Sequence, residues 1–436
     1  MSRLHYVSAF VIVTGILFTV TTLADKPPLD KRVGGLLVSD QSLDGIYLTR
    51  DLNGDGDADD PDEVSEYFRM EPNSIPPGVT TLFQSENGPV FFADPEMDGV
   101  FRLQDLNHDC DAMDPNEFTP WFTSANAGGL QITVPGGVWE DADGAVYILN
   151  AGSVATPVDA IYRTVDLNGD GDAEDVDEGT VWMDIQTLVT DSAAFELVFM
   201  KDAAYWADSM GGGSDAIMRA EDLNGDGQIG TGEFNIFVDE ASGFGIGIFS
   251  ALATDGNSLY VIDLSGSPQT LFRLTDLNDS GTIDDSSEVE EVWDEACVPA
   301  GFDMSATFSM AIGPHKELAV TSNGTDTGNR DNIFRLVDLD GDGLYTSEGE
   351  TIIWAQGNGE DTFVERARAV EYILAALGDV DGNGHVDLSD LASLLATYGL
   401  SDGDENYNPA ADFDNDDTIT LSDLAALLAR YGHTCP

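Results

Sequence analysis

The sequence predicts an all-β six-bladed β-propeller followed by a small all-α C-terminal domain. Three observations predict it. An apolar run followed by an Asp-rich loop occurs six times, with leading aspartates at Asp51, Asp105, Asp166, Asp222, Asp276 and Asp338, spaced 54 to 62 residues apart. Each repeat holds four short runs rich in β-branched and aromatic residues, separated by Gly, Asn and Asp. Such runs read as strands, and a sustained period of this length reads as a repeat architecture. Near Leu377 the pattern changes, and two near-identical segments 33 residues apart carry apolar residues at helical spacing.

Taken in order, the chain opens on an export signal. Arg3 and His5 form a short polar start, residues 7–20 are mostly apolar, and Thr22-Leu23-Ala24 ends in a small residue. This predicts a signal peptide over residues 1–24, a secreted or cell-surface bacterial protein, and no membrane span after cleavage. An uncleaved anchor is the alternative, but the apolar run is short for a span of about 20 residues.

Residues 25–376 carry the propeller. The fifth copy shows the four runs most plainly, at residues 248–253, 259–262, 271–274 and 289–293. Four strands per unit, six times over, is a propeller layout, and a solenoid normally uses shorter repeats. The first unit begins at residues 36–38 with what would be its second strand. The sixth is followed by a spare apolar segment at residues 364–373. If that segment supplies the missing strand, the ring closes and no sheet edge is left bare. Its Ala and Glu content also suits a short linker helix.

Composition narrows the partners. The chain has 81 acidic and 17 basic residues, a net charge of −64. Such a surface repels nucleic acid and anionic lipid, so neither is an expected partner. The three cysteines, Cys110, Cys297 and Cys435, allow at most one bridge and make no disulfide framework. No Gly-x-Ser-x-Gly, phosphate loop or His-rich zinc site occurs, and His315 is the only histidine in the propeller scaffold outside an Asp loop. The six tryptophans, at 121, 139, 182, 206, 293 and 354, fall in strand-like runs where packing between blades is expected.

The acids themselves are patterned. In residues 377–436, Asp379, Asp381, Asn383, His385, Asp387 and Asp390 occupy positions 1, 3, 5, 7, 9 and 12 of a loop that runs into a helix. Asp412, Asp414, Asp416, Thr418, Thr420 and Asp423 repeat it. This is calcium-loop spacing: hard oxygen ligands, a backbone carbonyl at position 7 (from His385 or Thr418), and a carboxylate arriving at position 12. The alternative is a pair of acidic helix caps. Gly399 and Gly432 end the two helices.

The propeller loops share the first half of the pattern. The candidate ligands are Asp51, Asn53, Asp55, Asp57 and Asp62 in copy one, and Asp166, Asn168, Asp170, Asp172 and Asp177 in copy three. In copy four they are Asp222, Asn224, Asp226, Gln228 and Glu233, and in copy six Asp338, Asp340, Asp342 and Glu350. Five copies also carry an acid at position 13: Glu63, Glu117, Glu178, Glu288 and Glu350. No helix follows these loops, so the closing acid arrives from a strand and its position can drift. Copies two and five depart from the pattern at Cys110 and Ser280. Calcium is the expected cofactor, two ions in the tail and up to six in the propeller. Metal-free Asx turns are the alternative in the propeller.

The duplicated loop-helix pair, with Gly-Asp-Val-Asp-Gly-Asn-Gly from Gly378 and Leu-Leu-Ala-x-Tyr-Gly at both helix ends, resembles a type I dockerin. It is also similar to the dockerin-type tails of secreted planctomycete-like bacterial proteins. Dockerins attach enzymes to cohesin-bearing scaffolds such as the cellulosome. The resemblance implies two calcium ions and a cohesin-like or other surface partner, chosen by the residues at loop positions 10 and 11. Here these are Leu388 and Ser389, then Leu421 and Ser422. The family's usual Ser-Thr pair is absent, a departure from a standard cohesin site. The two pairs are identical, which would allow docking in either of two orientations. Asp417 stands where the family has Gly at position 6.

The expected function is therefore an exported calcium-binding propeller that binds a glycan or protein and is docked to a scaffold or surface partner through its tail. A polysaccharide-degrading hydrolase or lyase carrying a dockerin, and a structural surface protein, are the alternatives.

Overall fold

The computed structural model describes residues 33–41, 45–60, 62–69, 78–85, 88–107, 109–152, 159–189, 192–209, 215–247, 249–266, 268–302, 304, 307–313, 316–322, 331–356, 367–374, 378–381, 385–401, 403–404, 406–413 and 418–432. The expected signal peptide, His315, Asn383, Asp414 and Asp416 lie outside the described residues.

Six antiparallel four-stranded sheets form the blades. Blade one contains β1 (Val33–Asp40), β2 (Gly45–Thr49) and β3 (Val64–Arg69), and blade two β4 (Thr81–Gln84), β5 (Val90–Asp94), β6 (Gly99–Leu103) and β7 (Phe118–Thr123). Blade three is β8 (Pro135–Glu140), β9 (Val146–Asn150), β10 (Ala160–Thr164) and β11 (Gly179–Asp184), followed by a single turn, α1 (Ile185–Leu188). Blade four is β12 (Ala194–Met200), β13 (Ala203–Asp208), β14 (Ala216–Ala220) and β15 (Phe234–Asp239). Blade five is β16 (Phe249–Thr254), β17 (Leu259–Asp263), β18 (Thr270–Leu274) and β19 (Val289–Asp294). Blade six is β20 (Met310–Ile312), β21 (Leu318–Ser322), β22 (Asn332–Leu336) and β23 (Thr351–Gln356).

The spare segment closes the ring. β24 (Ala367–Leu374) pairs antiparallel with β1, from Val33 opposite Leu374 to Asp40 opposite Ala367, and becomes the innermost strand of blade one. It is a strand, not a linker helix. The innermost strands touch in the cyclic order β24, β4, β8, β12, β16, β20 and back to β24.

Apolar cores fill the spaces between blades. Trp121, Trp182, Trp206, Trp293 and Trp354 are buried there, and Trp139 is half-buried. Burying one large apolar side chain is worth about 1.5–3 kcal/mol, so these wedges are a main source of ring stability. Three indole N–H groups also find partners across a blade boundary. Trp121 donates to Thr164 Oγ1 at 2.9 Å, Trp293 to Thr351 Oγ1 at 2.8 Å, and Trp354 to Thr49 Oγ1 at 2.8 Å. A buried donor left unpaired would cost about 1–3 kcal/mol, enough to offset much of what the ring gains from its packing.

The C-terminal region holds α2 (Leu388–Thr397) and α3 (Leu421–Arg430), packed through Leu394, Leu427, Val380, Val386 and Ile419. Both start in capping boxes, Asp387 with Asp390 and Thr420 with Asp423. Both end at a left-handed glycine, Gly399 at φ 83° and Gly432 at φ 92°. Among the described residues no helix is long and apolar enough to cross a membrane. Cys110 is disulfide-bonded and Cys297 is a free thiol.

Candidate metal centres

Each Asp loop lies between the third and fourth strands of its blade. Its backbone is shaped by its own side chains. In copy one, Asp51 Oδ1 accepts the N–H of Gly54 at 2.7 Å and its Oδ2 that of Gly56 at 3.0 Å. Asn53 Oδ1 accepts the N–H of Asp55 at 2.8 Å. Gly54 and Gly56 hold φ of 79° and 90°, which lets the chain curl round its oxygens. Copies three, four and six repeat the grip of the leading Asp on residues 4 and 6.

The closing acid is the residue directly before the fourth strand. Glu63 Oε1 accepts the N–H of Leu52 at 2.9 Å, and the same contact recurs from Leu106 to Glu117, Leu167 to Glu178, Leu277 to Glu288 and Leu339 to Glu350. In copy four Glu233, at position 12, receives Asn224 and Gly230 instead. The tail loops close the same way. Asp390 accepts Val380 at 2.7 Å and Asp387 at 2.7 Å, and Asp423 accepts Phe413 at 2.7 Å and Thr420 at 2.7 Å. The five position-13 glutamates and both tail aspartates are buried, at 3% exposure or less.

These contacts gather oxygen atoms. Within each of three groups, Asp51–Asp55–Glu63, Asp338–Asp340–Asp342 and Asp379–Asp381–Asp390, one oxygen per residue lies within 4.8 Å of the others. The donors are all carboxylate oxygen, which suits calcium and not a soft metal. Burial, then the nearby Asp51, holds the Glu63 carboxyl above its ordinary range against three backbone N–H contacts. A divalent cation would relieve that cost.

The other expected ligands lie in or beside their loops. Asp62 is exposed beside the buried Glu63, and Asp177 is exposed at φ 75° beside the buried Glu178. Asp57 is buried in its loop, and Asp166, Asn168, Asp170 and Asp172 ring the third loop. Asp222, Asn224, Asp226 and Gln228 ring the fourth. Asp412 and Thr420 lie in the second tail loop, where Asp412 Oδ2 accepts the Tyr407 hydroxyl at 2.7 Å. Substituting Glu63→Gln is expected to weaken one calcium site by about tenfold or more, whereas Asp62→Asn leaves uptake unchanged. Calorimetric stoichiometry separates the two, and equal effects would place the closing ligand at Asp62.

One role was missed from sequence. The residue at position 8 of every loop is buried and donates its N–H to the fourth strand of the preceding blade. Ala58 reaches Trp354 O at 2.8 Å, Ala112 Tyr67 O at 2.7 Å and Ala173 Trp121 O at 2.8 Å. Ile229 reaches Trp182 O at 2.7 Å, Ile283 Phe237 O at 2.8 Å and Tyr345 Val292 O at 2.8 Å. Side chains add to this latch. Arg273 Nη1 donates to Gly343 O at 3.1 Å, Asn235 to Gly281 O at 2.8 Å, and Gln356 to Asp59 at 2.9 Å. The tail uses position 8 too: Gly432 N–H meets Val386 O and Gly399 N–H meets Ile419 O.

On the tail surface, Leu388 and Leu421 are both 67% exposed. Ser389 is turned into its own loop, donating to Asp381 and Asp387, and Ser422 shares a hydrogen bond with Thr420. Leu395, Tyr398, Leu428 and Tyr431 are also exposed, so each helix turns a matching apolar face outward.

No protein-family model matches the chain, and no curated protein matches it. Among solved structures it is similar to a virginiamycin B lyase from Staphylococcus aureus, at 16% identity over 73% of this chain and 83% of that chain, TM-score 0.39. It is similar to a protein of unknown function from Bacteroides caccae, at 12% identity over 78% and 98% of the two chains, TM-score 0.45. It is also similar to regucalcin, a calcium-binding protein from Agrobacterium tumefaciens, at 10% identity over 62% and 72%, TM-score 0.39.

Proposed function

We propose that the chain is an exported, calcium-loaded propeller that presents a glycan- or protein-binding body and is docked to a scaffold or surface partner through its tail. One observation carries this reading. Propeller and tail loops, on unrelated scaffolds, close on a buried carboxylate that grips the N–H of loop residue 2, with one exception in copy four. A turn that needed only Asx geometry would have no use for a buried, partly desolvated acid at its centre. The matched outward faces around Leu388 and Leu421 suit a partner that covers one helix end at a time, in the manner of the dockerin resemblance.

Calcium titration by calorimetry tests it, on the mature chain and on residues 25–376, each first stripped with chelator. The expected result is several ions on the propeller alone and two more with the tail. Uptake confined to the tail would reduce the propeller loops to metal-free turns and leave calcium to the docking module.

A further inference from the structure

The innermost strands of the ring carry few charges in a chain of net charge −64. Among the described residues of its six innermost strands, only Glu140, Glu196, Arg368 and Glu371 are charged. Arg368 and Glu371 lie on β24 and Glu196 on β12, the third innermost strand from β24 in either direction. The two strands therefore face each other across the axial channel, and Glu196 feels the charge of Arg368.

Glu196 is placed there by a built irregularity. It sits in a bulge of β12 between Phe195 and Val198 with φ of 56°, a left-handed conformation uncommon for a non-glycine residue. Bulges re-aim side chains. The neighbouring strand makes room: a Cβ on Gly137 would stand 2.6 Å from Leu197 Cβ and 2.7 Å from Leu197 N. Arg368 lies with its guanidinium carbon 5.2 Å from the centroid of Phe308, itself 38% exposed. Stacking on a ring leaves the N–H edge of a guanidinium free to bind. Among the described residues no carboxylate forms an ion pair with Arg368, in contrast to Arg335, whose Nη2 is 2.8 Å from Glu317.

We propose that the axial channel binds the carboxylate of a small organic acid, gripped by the free edge of Arg368 between Phe308 and Glu196. Enclosure by the channel walls pushes Glu196 up to about 8 despite Arg368, and Glu371 up to about 8 despite the Gln84 N–H. Glu196 is neutral near pH 7, so it leaves the charge of Arg368 unopposed and can donate a hydrogen bond to an anion. One planar cation matches one planar monoanion, whereas a phosphate dianion would want a second positive group. The proposal deepens the reading of the propeller as a ligand-binding body and does not depend on the calcium loops.

The test is calorimetric titration of the calcium-loaded full chain with D-glucuronate, with D-glucose as the neutral control. Glucuronate is expected to bind at about pH 6.5 and glucose not, with at least about tenfold weaker glucuronate binding at about pH 9.5, where Glu196 ionises and offsets the charge of Arg368. Glu140 and these three groups are the only charged residues on the six strands, so no other group on them opposes that sign. Arg368→Gln should abolish binding at both pH values, and Glu196→Gln should keep it and flatten the pH dependence. No glucuronate binding, equal binding by Arg368→Gln, or no weakening at high pH would each overturn the proposal. If Arg368→Gln fails to fold, the Glu196→Gln profile still decides. Calcium uptake is recorded on the same samples, so failure here leaves the calcium reading to stand or fall on its own stoichiometry.

Discussion

Stripping calcium from the chain is expected to lower its melting temperature by roughly 20 °C or more. Each loop held at 100 times its dissociation constant adds about 2.7 kcal/mol to the folded state, and about 1 kcal/mol moves the midpoint of a domain this size by a degree or two at least. The effect should exceed what isolated surface sites would give, because the loops are joints. Every position-8 residue, from Ala58 to Tyr345, ties its loop to the preceding blade, and Arg273 and Asn235 grip loop carbonyls across the same boundaries. Without an ion, the carboxylates of Asp51, Asp55 and Glu63 repel one another within 4.8 Å. A loop that splays to relieve this pulls its latch away from the neighbouring blade. Differential scanning calorimetry in chelator and in excess calcium measures the shift. A change of only a few degrees would mean that the blades are held by their apolar cores alone.

How far the sequence shows this differs from residue to residue. The repeats, the strand-like runs and the loop acids are local features, so they are readable in the chain. Ring closure was readable for a different reason: the first unit lacked a strand and the last had one too many. Helix-compatible residues in β24 nonetheless form a strand, because pairing with β1 outweighs local preference. The closing acid was harder. Asp62 and Glu63 are adjacent, as are Asp177 and Glu178, and only the start of the next strand decides which faces the loop. The latch did leave a signal, an apolar residue seven places after each leading Asp, visible as Ala58, Ala112, Ala173, Ile229, Ile283 and Tyr345. Glu196, Arg368 and Glu371 left none. Glu196 comes under the charge of Arg368 only because strands from opposite sides of a ring face each other, and among 81 acids nothing local marks Glu196.

A chain ending after residue 366 is expected to lose the native ring altogether, whereas one ending after residue 376 keeps it. β24 pairs with β1 along its length, and Ala367, Val370 and Tyr372 belong to the core between blades six and one. Without it, Leu36, Leu37 and Val38, all fully buried, become an exposed apolar strand edge. Blade one is then left with three strands, and the ring has an open seam where Trp354 meets Thr49. Such an edge pairs with other copies, so the shorter chain should elute as aggregate in size-exclusion chromatography and lack a cooperative melt. The longer truncation removes α2 and α3, whose core of Leu394, Leu427, Val386 and Ile419 is their own, and should melt as a monomer. A soluble, cooperatively melting monomer from the shorter chain would show that three strands suffice for blade one, and that closure by β24 is not what holds the ring.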